Sequence, residues 1–300
     1  MTPFRCAVAS TDRQEPLFAT ASRVDRWLLV EHCSAWSAEV LPRFRLEAVL
    51  PGLEQLARRS RARLLLIRRP GGASETARHE TGRQLFFADS EPGAERLVTR
   101  SVSTDPELAS VQPPDLQPEQ WRPATEPLLL VCTHGRHDPC CAIWGRPVAN
   151  ALAARYPAET WECSHVGGDR FAPNLVVLPQ GYYFARVPPD DAADVVARLS
   201  AGRLATGYLR GRSALPLPVQ AAQYFARTTL GNDDAADLAP VETERRDDGS
   251  WLVRLRLGAT GEVAVGLAQA TAPPHQLTCH SSESRRSPVW KLLDLSCGAR

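Results

Sequence analysis

Residues 127–187 read PLLLVCTHGRHDPCCAIWGRPVANALAARYPAETWECSHVGGDRFAPNLVVLPQGYYFARV, and this stretch decides the fold. A continuous apolar run of the length of a buried strand occurs at 127–132, and further strands are predicted at 160–165, 174–178 and 182–187. Between the first two strands, residues 144–156 have the apolar spacing of a helix, and a second helix is predicted at 190–199. The predicted order is therefore strand, helix, three strands and helix.

This order is that of a thioredoxin-like domain. In that fold a proline just before the third strand lies against the active site and often follows a cis peptide bond. Pro173 stands in this place, so we predict a cis Ala172–Pro173 bond and assign Pro173 to the site.

The first 104 residues repeat a similar order more weakly. Strands are predicted at 26–32, 63–68 and 83–88, and a helix at 46–58. The sequence thus predicts an α/β fold in which a thioredoxin-like domain is preceded by a smaller α/β half of similar topology, as after a duplication. The predicted domains are 1–104 (N-terminal α/β), 105–126 (a proline-rich linker), 127–239 (thioredoxin-like, with the metal site) and 240–300 (an exposed β-hairpin at 253–268 and a tail that packs back on the core).

The composition excludes several classes of protein. A net charge of +1 over 300 residues provides no field that would recruit nucleic acid or an anionic membrane. No run of about 18 apolar residues could span a bilayer. We expect a cytoplasmic protein, in which thiols stay reduced and eight cysteines indicate metal or redox chemistry rather than disulfides.

Half of the cysteines are clustered. Cys132, Cys140, Cys141 and Cys163 fall within 32 residues, whereas Cys6, Cys33, Cys279 and Cys297 are scattered. Cys132 and Cys141 flank the loop between the first strand and the first helix, where a helix N-terminus favours the thiolate that binds metal. The adjacent Cys140 cannot easily point the same way, so we expect it to be a spare.

The second half of the candidate site is the segment from Cys163 to Asp169. Cys163 and His165 are two residues apart on a predicted strand, so they share a face. Gly167 and Gly168 let the chain turn sharply and let backbone N–H groups approach a bound sulfide, and Asp169 closes the turn. Two thiolates and one imidazole, with either Cys163 or Asp169 as a fourth ligand, suit a [2Fe–2S] cluster or a zinc ion.

The motifs together resemble those of the sucrase/ferredoxin-like family, whose members are thioredoxin-like [2Fe–2S] proteins. The resemblance is carried by Val131-Cys132-Thr133-His134-Gly135, Cys140-Cys141, Gly145-Arg146-Pro147, Trp161 to Gly168, Arg170-Phe171-Ala172-Pro173 and Leu178-Pro179. In the family, two cysteines hold one iron and the two histidines of a His-x-Gly-Gly-His turn hold the other. By position, the resemblance implies Cys132, Cys141, His165 and Asp169 as ligands, with aspartate where the family has its second histidine; Cys163 remains an alternative to Asp169.

The resemblance implies one-electron transfer as a ferredoxin, with an unidentified redox protein (a reductase or an oxidoreductase) as partner. We expect an electron carrier more than an enzyme. A thiol–disulfide oxidoreductase and a structural zinc protein are the alternatives. Sucrase activity has least support, since glycoside hydrolysis needs two carboxylates across a sugar cleft and Glu162 and Asp169 fit roles at the metal better. His134 and His137 are predicted to be solvent-facing loop residues.

Overall fold

The computed structural model describes residues 3–38, 49–71 and 82–299. These residues form an α/β fold with a ten-stranded sheet, a four-stranded sheet and a two-stranded ribbon. Within these three ranges, none of the helices has both the length and the apolarity needed to cross a membrane.

The N-terminal half supplies one end of the large sheet. Its elements are α1 (Cys6–Asp12), β1 (Arg26–Glu31), α2 (Leu50–Arg59), β2 (Ala62–Arg68), β3 (Arg83–Asp89), β4 (Arg96–Val102), α3 (Asp105–Ala109) and β5 (Arg122–Pro123). The helix predicted at 46–58 is present as α2, except that residues 46–48 lie outside the described residues. Pro51 is in the first turn of α2, where a helix leaves its N–H groups unpaired, so the missing N–H of proline costs nothing.

The thioredoxin-like half supplies the other end of the same sheet. Its elements are β6 (Leu128–Cys132), α4 (Pro139–Arg155), β7 (Thr160–Cys163), β8 (Asn174–Leu178), β9 (Tyr182–Ala185), α5 (Ala192–Ser200) and β10 (Leu209–Arg212). The predicted cis Ala172–Pro173 bond is confirmed, and Leu178–Pro179 is cis as well.

The two halves have the same topology. The strand order of the large sheet is β10-β9-β8-β6-β7-β2-β1-β3-β4-β5. In each half the first strand is parallel to the second and antiparallel to the third, and the fourth and fifth strands continue the antiparallel side. The predicted similarity of the first half is therefore confirmed, and β2 and β7 join the halves as antiparallel neighbours.

The remaining elements build a second layer at the C-terminal end. They are α6 (Leu217–Leu230), β11 (Pro240–Arg245), β12 (Trp251–Leu257), β13 (Gly261–Thr271), β14 (His275–Gln276), β15 (Ser284–Arg285) and β16 (Pro288–Ala299). The hairpin predicted at 253–268 is present as β12 and β13, but it is not exposed: alternate side chains, such as Val253 and Val265, are fully buried in a core shared with α6. The alternation of apolar and charged residues in β12 is the pattern of a strand with one buried face.

In two places the structure contains elements that the sequence did not indicate. The segment 105–126, predicted as a linker, carries α3 and the edge strand β5 and buries Trp121. The helix predicted to begin at Trp144 begins at Pro139, because Asp138 caps it by accepting a hydrogen bond from the Cys140 N–H at 2.9 Å. The domain boundaries themselves stay a prediction.

Candidate metal centre

The carboxyl end of β6 and the first turn of α4 hold the two predicted cysteine ligands. Cys132 is the last residue of β6 and Cys141 the third residue of α4, and both are 1% exposed. Gly145, one turn further along α4, faces the Cys132 carbonyl so closely that a Cβ there would collide with it. The missing side chain lets the helix lie directly against the strand end, which brings the two sulfurs together.

The Gly-Gly turn after β7 places His165 and Asp169 opposite the cysteines. Gly167 and Gly168 have φ angles of +94° and +85°, which favour glycine. The fully buried Arg210 donates to the Gly167 carbonyl at 2.9 Å and to the Asn174 side-chain oxygen at 2.7 Å, and it leaves no room for a Cβ on Gly168. Burial lowers the pKa of Arg210 to about 10, so it remains charged at neutral pH.

The carbonyls of the turn are held from a second side. Arg63 donates to the carbonyl oxygens of His165 at 2.9 Å and of Val166 at 3.1 Å, and Ser22 and Tyr183 also donate to Val166. Arg63 belongs to β2, so the N-terminal half fixes part of the backbone that carries His165.

The side chains converge into one buried group. The Cys132 and Cys141 sulfurs and a His165 nitrogen all lie within 4.8 Å of one another. Asp169 Oδ1 lies 3.0 Å from His165 Nδ1 and 3.3 Å from the Cys141 sulfur. Of the two candidates for a fourth ligand, Asp169 is thus at the group.

Cys163 is not brought to the group. Its backbone pairs with that of Cys132 in the parallel register of β6 and β7, and its side chain is buried in the same apolar cluster as Cys132 and Cys141, but its sulfur lies outside the ligating group. Burial raises the pKa of its thiol, which disfavours the thiolate. Across the described ranges, no set of His, Cys, Asp and Glu within ligating distance includes it.

The electrostatics of the group favour a ligating thiolate. A hydrogen bond from Cys141 lowers the pKa of Cys132 well below its ordinary value, against the effect of burial, and the same bond raises the pKa of Cys141. Burial alone would lower the pKa of His165, but Asp169 and Cys132 raise it to about 9. Burial alone would likewise raise the pKa of Asp169, and His165 keeps that pKa below its usual range. The mutual attraction of Cys132, His165 and Asp169 thus outweighs the effect of burial on their charged forms.

Sequence reasoning missed the role of the loop histidines. The His137 ring stacks on the His165 ring at a centroid distance of 3.8 Å, and its Nε2 lies 3.9 Å from Asp169 Oδ2. His134, predicted to face solvent, is 1% exposed and contacts the Ser37 carbonyl at 2.6 Å and the edge of Trp36. The only signal in the sequence is that both lie between the two cysteine ligands, in a loop that has to close over them.

Cys140 lies outside the first group, as expected. Its sulfur belongs to a second group, with Cys6, Asp138 and Cys279, whose possible ligand atoms all lie within 4.8 Å of one another. Cys6 and Cys279 are 273 residues apart in the chain, so no local pattern could have joined them.

A sequence profile for the sucrase/ferredoxin-like family matches residues 17–211, well over half of the chain and the whole of the first group. The chain belongs to the sucrase/ferredoxin-like family. Among curated proteins, none matches it.

Similar solved structures include a thioredoxin-like [2Fe–2S] ferredoxin from Aquifex aeolicus, at 19% identity over 31% of this chain and 97% of that chain, with a TM-score of 0.27. Two cysteine-to-serine variants of that ferredoxin match at 19% identity over 28% of this chain and 97% of theirs, each with a TM-score of 0.25.

The donor set of this family member suits a metal. His165 Nδ1 is buried in the group, 3.0 Å from Asp169 Oδ1, and loss of its proton would give a nitrogen lone pair for a metal. Two thiols and a carboxylate complete four donors of the types that iron–sulfur clusters and zinc accept in proteins. The residues present therefore fit the group that the family resemblance implies.

Proposed function

We propose that this protein is an electron carrier whose Cys132, Cys141, His165 and Asp169 hold one [2Fe–2S] cluster. The observation that carries the proposal is the arrangement of these side chains as two neighbouring pairs, a hydrogen-bonded pair of thiols and a carboxylate–imidazole pair 3.0 Å apart. Each pair offers what one tetrahedral iron needs beside two sulfides. Such a cluster supplies one-electron redox chemistry.

The unequal burial of the four side chains indicates which side of the site a partner would contact. The two sulfurs are buried, whereas His165 is 15% exposed and the His137 ring that stacks on it is 31% exposed. Electrons would therefore enter and leave on the histidine side. Arg136, the neighbour of His137 in the chain, is exposed, as is Arg146 on α4, and both suit a redox protein with an acidic docking face.

The main test is anaerobic purification followed by iron and acid-labile sulfide analysis and by EPR of the reduced protein. We expect two irons and two sulfides per chain and an EPR signal of a reduced [2Fe–2S] cluster. The Cys132→Ala and Cys141→Ala variants should lose iron. A colourless protein without sulfide would refute the proposal.

The fourth ligand is tested by two matched variants. Asp169→Ala should lose iron or hold it labile, whereas Cys163→Ala should keep iron and sulfide at the wild-type level because its sulfur lies outside the ligating group. Loss of iron from Cys163→Ala, with a far-UV CD spectrum equal to that of the wild type, would instead assign Cys163.

A zinc site is the second candidate. The observation that favours it is the compactness of the group, since one tetrahedral ion could reach both sulfurs and the imidazole, all within 4.8 Å of one another. Stoichiometric zinc in a colourless protein, lost on Cys141→Ala, would support it. Thiol–disulfide exchange has less support, because both sulfurs are buried from a protein disulfide.

A further inference from the structure

We propose that Cys6, Cys140, Cys279 and Asp138 form a second, separate metal site that binds one zinc ion and ties the two ends of the chain to the start of α4. These four side chains lie within 4.8 Å of one another. Cys6 opens α1, Asp138 and Cys140 open α4, and Cys279 lies between β14 and β15. The site is independent of the cluster proposed on Cys132 and Cys141.

The distances match a single tetrahedral ion. The Cys279 sulfur lies 3.5 Å from the sulfur of Cys6 and 3.5 Å from that of Cys140. With Zn–S bonds of about 2.3 Å, the edge between two sulfurs of a tetrahedron is about 3.8 Å. A disulfide would need a sulfur–sulfur separation of about 2.05 Å, which is much shorter than 3.5 Å. Sulfurs that each bound a different iron of a cluster would lie further apart than those on one ion.

Asp138 completes the tetrahedron. Its two carboxylate oxygens lie 3.7 and 3.6 Å from the Cys6 sulfur, and the sulfur–oxygen edge of a zinc site is about 3.5 Å. The carboxylate accepts the N–H of Cys140 at 2.9 Å and the N–H of Cys279 at 2.7 Å. Each oxygen keeps a lone pair for a metal, and the two backbone bonds fix its orientation.

Two of the three sulfurs accept backbone N–H groups. The Cys6 N–H donates to the Cys279 sulfur at 3.4 Å, and the Ala7 N–H donates to the Cys140 sulfur. Cys140 and Asp138 are at the N-terminus of the 17-residue helix α4, where the helix dipole favours anions. Soft thiolates select zinc over magnesium and calcium, and three thiolates with one carboxylate leave no open position for substrate.

Burial fits a structural rather than a catalytic ion. Cys6, Cys140 and Asp138 are each fully buried, and only Cys279 reaches the surface. Three cysteines and an aspartate from sequence-distant segments are an unusual set to bury without a common ligand, since each thiol alone would be an apolar core residue. The ion would fasten α1 and the C-terminal segment to the helix that presents Cys141.

The test is the metal content of the full-length chain purified under reducing conditions from zinc-supplemented medium. The double variant Cys132→Ala, Cys141→Ala removes both thiols of the first site and should still hold one zinc per chain. In that background, Cys279→Ala should weaken zinc binding at least ~100-fold in competition with a chromophoric chelator. Cys279→His keeps a zinc ligand and should restore most of the affinity.

The controls separate this site from its alternatives. Cys297→Ala removes an exposed cysteine outside both groups and should leave zinc binding unchanged. Replacing zinc with Co²⁺ should give thiolate-to-cobalt charge transfer and tetrahedral d–d bands, both absent in Cys6→Ala. The proposal is overturned if the double variant holds no zinc, if Cys279→Ala binds as tightly as its parent, or if thiol counting shows a disulfide within the trio. A wild-type protein that holds zinc but no iron would count against the proposed [2Fe–2S] cluster and would leave the zinc proposal standing.

Discussion

Glu15 connects the segment that carries α1 to Arg170 beside the site. The substitution Glu15→Gln measures how much this contact contributes to the free energy of unfolding. Glu15 is 8% exposed and accepts hydrogen bonds from Arg170 Nε at 2.7 Å and from the Ser10 hydroxyl at 2.9 Å. Arg170 follows Asp169 directly in the chain. Glutamine keeps the shape of the side chain but removes its charge and one of its two acceptor oxygens.

The expected cost follows from these contacts. A glutamine has one oxygen for two donors, so either Arg170 or Ser10 faces an NH₂ group. A hydrogen bond to a charged group is worth about 1.5–3 kcal/mol, and removing one partner of a buried ion pair costs about 3–5 kcal/mol. Because Arg170 retains 16% exposure, we expect the lower part of this range, about 2–3 kcal/mol. At a urea m-value of about 2–3 kcal/mol/M, the midpoint falls by about 1 M.

The pH dependence gives the loss a signature. Burial alone would raise the pKa of Glu15, but Arg170 and Ser10 lower it below its ordinary value of 4.5. A lowered pKa in the folded state contributes stability that is fully present above the unfolded pKa and is lost as pH falls through the folded pKa. The difference between wild type and Glu15→Gln should therefore hold at pH 7 and shrink steadily below about pH 4.5.

The assay is urea unfolding followed by CD, with equal metal content in both proteins, at a series of pH values. Asp194→Asn is the matched control, since it removes one carboxylate of an exposed ion pair with Arg198 and should leave the midpoint unchanged. The reasoning is refuted if Glu15→Gln costs no more than the control, or if its cost is the same at pH 3 as at pH 7.

Two further substitutions probe the turn that carries Asp169. Asp169→His gives the family pattern His-x-Gly-Gly-His, and replacing an anionic ligand with a neutral one should raise the midpoint potential by on the order of 100 mV in an EPR-monitored redox titration; an unchanged potential would count against Asp169 as a ligand. Gly168→Ala places a Cβ 2.6 Å from Arg210 at a positive φ and should cost about 2–5 kcal/mol of unfolding free energy. Gly202→Ala has a similar φ of +75° but open space around it, so it should cost only about 1–2 kcal/mol, and equal costs would show that the Arg210 contact is unimportant.

Several strands of the large sheet could be predicted because the local sequence alone nearly determines where each of them begins and ends. β6, β8 and β9 are continuous apolar runs bounded by proline, glycine or polar residues, and each lies within two residues of its predicted range at both ends. The start of α4 was missed because Asp138-Pro139 is a helix-start signal that the neighbouring cysteines and charged residues obscured. The buried face of the C-terminal hairpin was missed because the helix that covers it, α6, is separated from it in the chain by β11 and two connecting segments.

The candidate site, too, could be predicted only in part. Cys132, Cys141, His165 and Asp169 were indicated by local spacing and by family resemblance, and the structure brings them together. That the Cys163 sulfur lies outside the ligating group could not be predicted, since a two-residue spacing on a strand gives a shared face but no distance to the other ligands. Nor could the second group, because the contacts of Cys279 with Cys6 and Cys140 span 273 and 139 residues.

The junction of the two halves bears on how such a chain could arise. β2 and β7 pair at two positions, Ile67 with Cys163 and Arg68 with Glu162. A thioredoxin-like half on its own would leave β7 as an open sheet edge, and open edges seek another strand. The readiest substitute for β2 would be β7 of a second copy, since the present junction already joins equivalent strands in antiparallel orientation. The ten-stranded sheet thus has the form of a symmetric homodimer fused into one polypeptide, in which Arg63 of the first half supports the turn that carries His165 in the second.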